Sequence, residues 1–253
     1  MTGDQYLQNI LAREAVNTGP FSPVLTVATT LRPIIQTWSS GMLLSMEPSG
    51  SFAKGTANMS GTDIDLFISL SERTTDTLKD IYESLAKKMA ANGYTPRRQN
   101  VSINVKVGAF DVDLVPGKRQ NSYGTEHSLY RRKADTWTKT DVTKHIAHVR
   151  AAGRLAETRV LKLWRNQKGI DFPSFYLELT IIDALRGQNS ASLADRVFAV
   201  FRYLRDSFAT ARVVDPANTN NIISEDLSVA DKAKVKLFAV QALGAKTWEE
   251  IVK

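Results

Sequence analysis

The sequence predicts an α+β protein: a small mixed or antiparallel sheet flanked by helices, followed by a helical C-terminal half. Three observations carry that expectation. Strict apolar and polar alternation, as in "DIDLFISL" and "FDVDLVP", falls before residue 117. Helical periodicity dominates beyond Val142. Between them lies "PGKRQNSYGTEHSLYRRKADTWTKTD", polar, glycine-bearing and long for a connection. The expected division is therefore a core with N-terminal helices over residues 1–141 and a helical domain over residues 142–253.

Taken in order, Asp4 to about Val16 reads as a helix, and "NTGPFSP" breaks it. Ser22 and Pro23 form an N-cap and first-turn pair for a second helix that ends near Gly41. "MLLSM" is a short strand and "DIDLFISL" a second, in which Ile64, Leu66 and Ile68 alternate with Asp63, Asp65 and Phe67. Ser71 to Asn92 reads as a helix closed at Gly93. "VSINVKV" and "FDVDLVP" around "GA" have the pattern of a hairpin. That makes about four strands and three helices in the first half. The second half reads as helices over 142–166, 175–185, 192–209 and 230–243, with a short one from Trp248.

Composition narrows the chemistry. With no cysteine, the chain has no disulfide, no thiolate metal site and no cysteine nucleophile, so a metal must be held by oxygen or by one of three histidines. The opening "MTGDQYLQNI" lacks the basic and apolar regions of a signal peptide, and no apolar run reaches the length of a membrane span. A cytoplasmic location and no membrane partner are the expectations. A formal charge of +7 suits an anionic partner, and Arg97, Arg98, Lys118, Arg119, Arg131, Arg132 and Lys133 cluster in the middle third. A nucleic-acid contact through that basic segment is one reading of the cluster.

Aspartate is depleted in strands and costly to bury unpaired, yet Asp63 and Asp65 stand in one apolar run and Asp111 and Asp113 in another. Residues two apart on a strand share a face, so each pair projects together. On neighbouring strands, about 4.7–4.9 Å apart, the two pairs would converge. Carboxylates so close repel one another unless cations neutralise them, and oxygen-only ligation favours Mg²⁺ or Mn²⁺. A pair of such ions is the usual clamp for an in-line phosphoryl displacement. For a single D-x-D, solvated aspartates on an open sheet face would be the simpler account. Two such strands, joined to the small-residue turn Gly50-Ser51, argue against it, because backbone N–H groups and a hydroxyl there can hold a phosphate.

These residues also carry a resemblance. "GSFAKGT", then "TDIDLFI", then "FDVDLVP" resemble the G-S-x-x-x-G-T, D-x-D and third-carboxylate pattern of the DNA-polymerase-β-type nucleotidyltransferases. More narrowly, they resemble the branch that holds archaeal CCA-adding enzymes, 2′-5′ oligoadenylate synthetases, cyclic GMP-AMP synthase and the bacterial CD-NTases. "WTKTDVTKHIAHV", "TRVLKLWRNQ", "SFYLELT" and "VVDPANTNNIISEDLS" continue the match in order, so it spans roughly Met42 to Ser228. The resemblance implies that Gly50 and Ser51 hold phosphates, that Asp63, Asp65 and Asp113 are catalytic and bind two Mg²⁺ or Mn²⁺ ions, and that Lys162 and Ser174 contact the triphosphate. It also implies a polymerase-β-like catalytic core whose nucleotide cleft is completed by the helical domain. His145 ranks below Lys162, and Lys54 lies in the variable part of the motif. Phe175 replaces a common tyrosine and Asn220 stands where CCA-adding enzymes carry a base-reading arginine. Both departures count against a tRNA acceptor.

The function so implied is template-independent, metal-dependent joining of nucleoside triphosphates, ATP or dATP first among them, into a cyclic or linear oligonucleotide signal. Antiphage defence with a downstream effector that senses the product is the setting the resemblance implies. Two other readings stay open: transfer of a nucleotide onto a tRNA 3′ end or a protein, and a nucleotide- or RNA-binding module without catalysis.

Overall fold

The computed structural model describes residues 1–253 apart from Pro20 and Thr62. Pro20 of the "NTGPFSP" break and Thr62 of the "TDIDLFI" motif therefore lie outside the described residues. Helices α1 (Gly3–Arg13) and α2 (Pro23–Trp38) lead into strand β1 (Leu43–Pro48), the short helix α3 (Gly50–Lys54) and strand β2 (Ile64–Leu70). Helix α4 (Leu78–Ala91) and strands β3 (Arg97–Arg98), β4 (Ile103–Val107), β5 (Phe110–Arg119), β6 (His127–Arg131) and β7 (Thr136–Thr140) follow. The chain then continues through helices α5 (Val142–Ala151), α6 (Leu155–Gln167), α7 (Ser174–Ala184), α8 (Leu193–Asp206), α9 (Val229–Gly244) and α10 (Trp248–Ile251).

The chain packs as two compact units. A sheet unit holds residues 17–55 and 62–146, and a helical unit holds residues 1–16, 56–61 and 147–253. In the sheet unit the strand order is β1-β2-β5-β4-β3, with β6 on β5 and β7 on β6. One neighbour pair is parallel: β2 runs alongside β5, with Asp65 opposite Asp113. The other pairs are antiparallel. Ile64, Leu66 and Ile68 of β2 and Val112 and Leu114 of β5 turn to one face. There they meet α2 through Val27, Leu31 and Ile35 and α4 through Ile81, Leu85 and Met89, forming one core. The opposite face is left to the odd-numbered residues of β2 and β5, the aspartates among them.

Several local expectations are revised. The predicted helix from Ser71 begins instead at Leu78, because the Thr77 hydroxyl accepts the Asp80 N–H and "SERTTD" stays in turns. The single helix expected over 142–166 is two, parted at Gly153, whose φ of +65° a side chain would resist. The polar connection contains the β6–β7 hairpin. Its strands were hidden because one face is exposed and carries lysine, arginine and threonine rather than an apolar alternation. Helix α1, placed with the core half by chain order, packs in the helical unit, where Leu7 and Ile10 are buried beside Val197 and Leu204.

The helical unit closes on Trp164, Phe172, Tyr176, Phe201 and Phe208, all fully buried. It also takes in residues 56–61. Asn58 and Arg159 bond reciprocally, with Arg159 Nε donating to Asn58 Oδ1 at 3.0 Å and Asn58 Nδ2 to the Arg159 carbonyl at 2.9 Å. Ser60 donates its N–H and hydroxyl to Glu14 Oε2 at 2.8 and 2.7 Å. No helix among the described residues is long and apolar enough to cross a membrane.

Leu66 is fully buried, whereas Leu44 on the edge strand is 47% exposed. Truncating a buried leucine costs about 2–5 kcal/mol and an exposed one within about 0.5 kcal/mol. Leu66→Ala is accordingly expected to lower the denaturation midpoint of the sheet unit sharply, and Leu44→Ala to leave it nearly unchanged, as measured by denaturant melts.

Candidate active site

The site is assembled by register. β1 runs antiparallel to β2 with Pro48 opposite Leu66, so the chain leaves β1 beside the start of β2. The Ser49 N–H then donates to the Asp65 carbonyl at 2.8 Å, which pins the following turn to that strand. Gly50 sits at φ +54°, and a Cβ built on it would stand 1.8 Å from Asp65 Oδ2. Glycine is therefore required twice over, by the left-handed backbone and by the carboxylate pressed against it. Ser51 follows in α3, which closes at Gly55 with φ +79°. Gly50 of the small-residue turn thus lies directly against Asp65.

Asp113 meets Asp65 across the parallel β2–β5 pair. Both are half-buried, and Asp63, just ahead of the first paired residue of β2, is exposed. Loss of water raises the Asp113 carboxyl above the ordinary range; the hydrogen bond from Asn104 opposes that, and the charge of Asp63 adds to it. Asp63 is raised as well, first by loss of water and then by the charge of Asp111, with Arg97 opposing. Asp63 and Asp113 are thus each raised by loss of water and by a neighbouring carboxylate. Asp111 lies on the same face but is bound by Arg97 at 3.0 Å.

Sequence reasoning missed the groups that hold Asp113. Asn104, opposite it on β4, donates to Asp113 Oδ1 at 2.8 Å, and Gln99 Nε2 donates to the same oxygen at 3.1 Å. Arg97 in turn grips Asn104 Oδ1 through Nε at 3.0 Å and Nη2 at 2.7 Å. A visible signal existed: an asparagine in the strand "VSINVKV", 2% exposed, is as irregular there as the aspartates.

Among the described residues, no three acidic or histidine side chains form a ready-made metal cage. The donor set still fits Mg²⁺ or Mn²⁺: all-oxygen, on one sheet face, with two carboxyls raised by burial and by neighbouring negative charge, which a cation would relieve.

In the helical unit, Lys162 is 5% exposed and donates to Glu178 Oε1 at 2.7 Å and to Thr56 Oγ1 at 2.8 Å. Thr56 donates to the same glutamate oxygen at 2.8 Å. The R-x-x-K, E-L and G-T motifs meet in this buried cluster. Ser174 opens α7 and accepts from Arg165 Nη1 at 2.9 Å. Lys54 of α3 is buried and His145 of α5 is half-buried. Phe175 packs against the helical core. Asn220 is exposed in a loop whose centre is Asp215, which accepts from the Ala217 N–H at 2.8 Å and from Asn221 Nδ2 at 3.1 Å.

Comparison with known proteins follows this geometry. No family model matches the chain. A cyclic AMP-AMP-AMP synthase of Escherichia coli (strain MS 115-1) is 26% identical over 211 residues, which cover 74% of this chain and 65% of that protein. The chain thus spans slightly under two thirds of the relative's length. The structure of E. coli MS115-1 CdnC with ATP superimposes with a TM-score of 0.79 at 19% identity, covering 99% of this chain and 97% of that one. The fold is that of the polymerase-β-type nucleotidyltransferases. The Bradyrhizobium diazoefficiens CD-NTase CdnG in complex with GTP gives a TM-score of 0.75 at 13% identity, over 95% of this chain and 91% of that one. The Cid1 poly(U) polymerase, solved bound to MgATP, gives 0.67 at 14% identity, over 97% and 95%. The CD-NTase resemblance drawn from the motifs thus has a counterpart in both sequence and fold.

A carboxyl held above its ordinary value resists ionisation in the folded chain, so its contribution to stability is present at low pH and lost as pH rises through the raised value. Asp113→Asn is therefore expected to raise the melting temperature of the metal-free protein at neutral pH and to have no such effect in acid. Mg²⁺ is expected to stabilise the wild type more than the variant. Melts across pH, with and without Mg²⁺, measure both.

Proposed function

We propose that the protein is a metal-dependent nucleotidyltransferase that joins nucleoside triphosphates without a template into a short oligonucleotide signal. The observation that carries the proposal is the triple juxtaposition of Gly50, Asp65 and Asp113: a phosphate-sized turn pressed against one carboxylate and a second carboxylate in register beside it. Likeness in sequence to a cyclic AMP-AMP-AMP synthase supports a cyclic or linear oligonucleotide as the product class. Antiphage signalling to a downstream effector and a cytoplasmic site of action belong to the same proposal.

In this reading, the backbone N–H groups at Gly50 and Ser51 and the Ser51 hydroxyl bind the β- and γ-phosphates of the donor, ATP or dATP first among the candidates. Lys162 and Ser174 are the helical unit's candidates for contact with a triphosphate. Asp63, Asp65 and Asp113 hold two Mg²⁺ or Mn²⁺ ions, which supply acidification of a ribose hydroxyl and neutralisation of the departing pyrophosphate. Asp113, steadied by Asn104 and Gln99, orients the attacking hydroxyl and helps draw off its proton. The hydroxyl oxygen bonds to the α-phosphorus, the α–β bridging bond breaks, and pyrophosphate leaves with the electron pair.

Transfer to a macromolecular acceptor is the second reading, favoured by the exposed Arg131, Arg132 and Lys133. One assay separates the two. Purified protein with Mg²⁺ or Mn²⁺ and nucleoside triphosphates alone is expected to release pyrophosphate and yield small oligonucleotides identifiable by mass spectrometry. Product formed only on added RNA or protein would favour the macromolecular acceptor. Asp65→Ala and Asp113→Ala are each expected to reduce pyrophosphate release by on the order of 100-fold or more, as loss of one electrostatic stabiliser does.

Asn104 favours the ionised form of Asp113. Asn104→Leu is expected to move the acid limb of the pH–rate profile upward, because the carboxyl then keeps its proton to higher pH. Initial rates of pyrophosphate release across pH test this, and an unmoved acid limb would remove Asp113 from the proton step.

A further inference from the structure

Residues directly opposite across paired strands share a face, so Trp137 of β7 lies on the side of Tyr130, whose ring meets Tyr82 of α4 at 5.5 Å. Ser128, two residues before Tyr130, lies on that side as well, and Lys118 of β5 stands opposite Ser128. Asp113, an odd number of residues from Lys118 on the same strand, points to the other face. On the α4 side, wholly within the sheet unit, lies an open groove of about 620 Å³.

Trp137, 56% exposed on the edge strand, and Leu78, the first residue of α4, give the groove its apolar walls. A lone exposed tryptophan needs no special account. This one shares its groove with Lys118 and Arg119, against a single carboxylate, Glu72, which accepts from the Ser71 hydroxyl at 3.3 Å. Neither cation belongs to an ion pair among the described residues. Two hydrogen bonds steady the polar wall: Arg119 Nε donates to the Gly124 carbonyl at 2.8 Å, and Gln120 Nε2 donates to Ser128 Oγ at 3.2 Å. The transfer chemistry at the three aspartates uses none of these groups.

An exposed indole beside unpaired cations selects a flat ring joined to an anion. Trp137 and Lys118 stand two strands and two residues apart, roughly 12 Å between Cβ positions, and the flexible lysine stem shortens that gap. Every nucleobase has a π-face that stacks on an aromatic side chain, and the phosphate it carries answers the cations. A duplex hides those faces in its own stack, so the groove suits a base that is free. Nucleotides and short oligonucleotides are what the protein consumes and releases in the reading above, and the choice of a nucleotide among flat anions rests on that reading. We propose that this groove is a second nucleotide site, off the catalytic face, which takes a free nucleotide or short oligonucleotide with its base on Trp137 and its phosphate at Lys118 and Arg119.

The test needs no turnover. The Trp137 indole N–H signal, assigned by its absence in Trp137→Phe, is followed by NMR in the metal-free protein during titration with adenosine, AMP, the dinucleotide pApA and inorganic phosphate. AMP and pApA are expected to shift it at similar concentrations, adenosine only at higher ones, and phosphate alone not at all. Lys118→Gln is expected to weaken AMP about threefold, the scale of one exposed ion pair, and to leave adenosine unchanged. In Trp137→Ala, read on the Leu78 methyl signals, AMP is expected to weaken about fivefold or more, as the loss of one base stack does.

No shift at millimolar AMP, equal affinity for adenosine and AMP, or an equal shift with duplex DNA would overturn the assignment. So would single strands of about twelve nucleotides binding far tighter than pApA, because the groove would then be one step of a nucleic-acid track. Trp137→Ala is expected to keep the wild-type initial rate of pyrophosphate release; a loss like that of Asp65→Ala, with the fold intact by circular dichroism, would make the groove part of the catalytic site and overturn it as a second one. If no triphosphate mixture yields pyrophosphate yet AMP still moves the Trp137 signal, the transferase reading fails and the nucleotide groove stands. Pyrophosphate release with an unmoved Trp137 signal sinks the groove alone.

Discussion

The parallel pairing of β2 with β5 is the constraint on which the rest of the site depends. Parallel neighbours cannot be joined by a tight turn; here α4, β3 and β4 intervene. That detour sets Asp65 opposite Asp113, although 47 residues separate them in the chain. A one-residue slip would turn every side chain of one strand to the other face, burying an aspartate against α2 and α4 and exposing Leu66 or Leu114. The apolar even-numbered residues therefore enforce the register that the aspartates need.

Each further component hangs on that pair. Antiparallel β1 delivers the Ser49–Ser51 turn to Asp65, and antiparallel β4 delivers Asn104 to Asp113. The sheet thus sets the turn on one side of the pair and a hydrogen-bonded cradle for Asp113 on the other. Arg97 serves both Asn104 and Asp111, which leaves Asp63 and Asp113 as the carboxyls held above their ordinary range. Burial and like charge make the face unfavourable by itself and receptive to divalent cations. In the helical unit Lys162, Glu178 and Thr56 form one buried cluster. Removing one partner there would strand a charge away from water, so the three motifs stand or fall together.

Much of this was legible in the residues, and what was not has identifiable causes. The expected starts of α2, α8 and α9 fall within a residue of those observed, where Ser22, Ser192 and Ser228 satisfy the first N–H groups of each helix through local contacts. The β6–β7 hairpin escaped notice because its alternation is written in threonine, lysine and arginine, which periodicity of apolar residues does not register. Gly153 lies inside the 142–166 span expected as one helix and marks the break between two. The site carboxylates and the Gly-Ser turn stood out as violations of local rules. Asn104 broke the same rule in the neighbouring strand and went unread.

By itself, then, the sequence determined the α+β class, the absence of any thiolate donor, the same-face character of Asp111 and Asp113, and the small-residue turn at Gly50-Ser51. These depend on residue type and on the two-residue period of a strand, which are local properties. Only the tertiary structure decided that β2 and β5 are neighbours and parallel, that Gly50 abuts Asp65, that Asp111 is claimed by Arg97, and that Lys162 pairs with Glu178 and Thr56. It likewise packed the Phe67 ring against Gly117 and His127. Those are contacts between residues far apart in the chain, selected by burial of the apolar faces, and no local pattern encodes them.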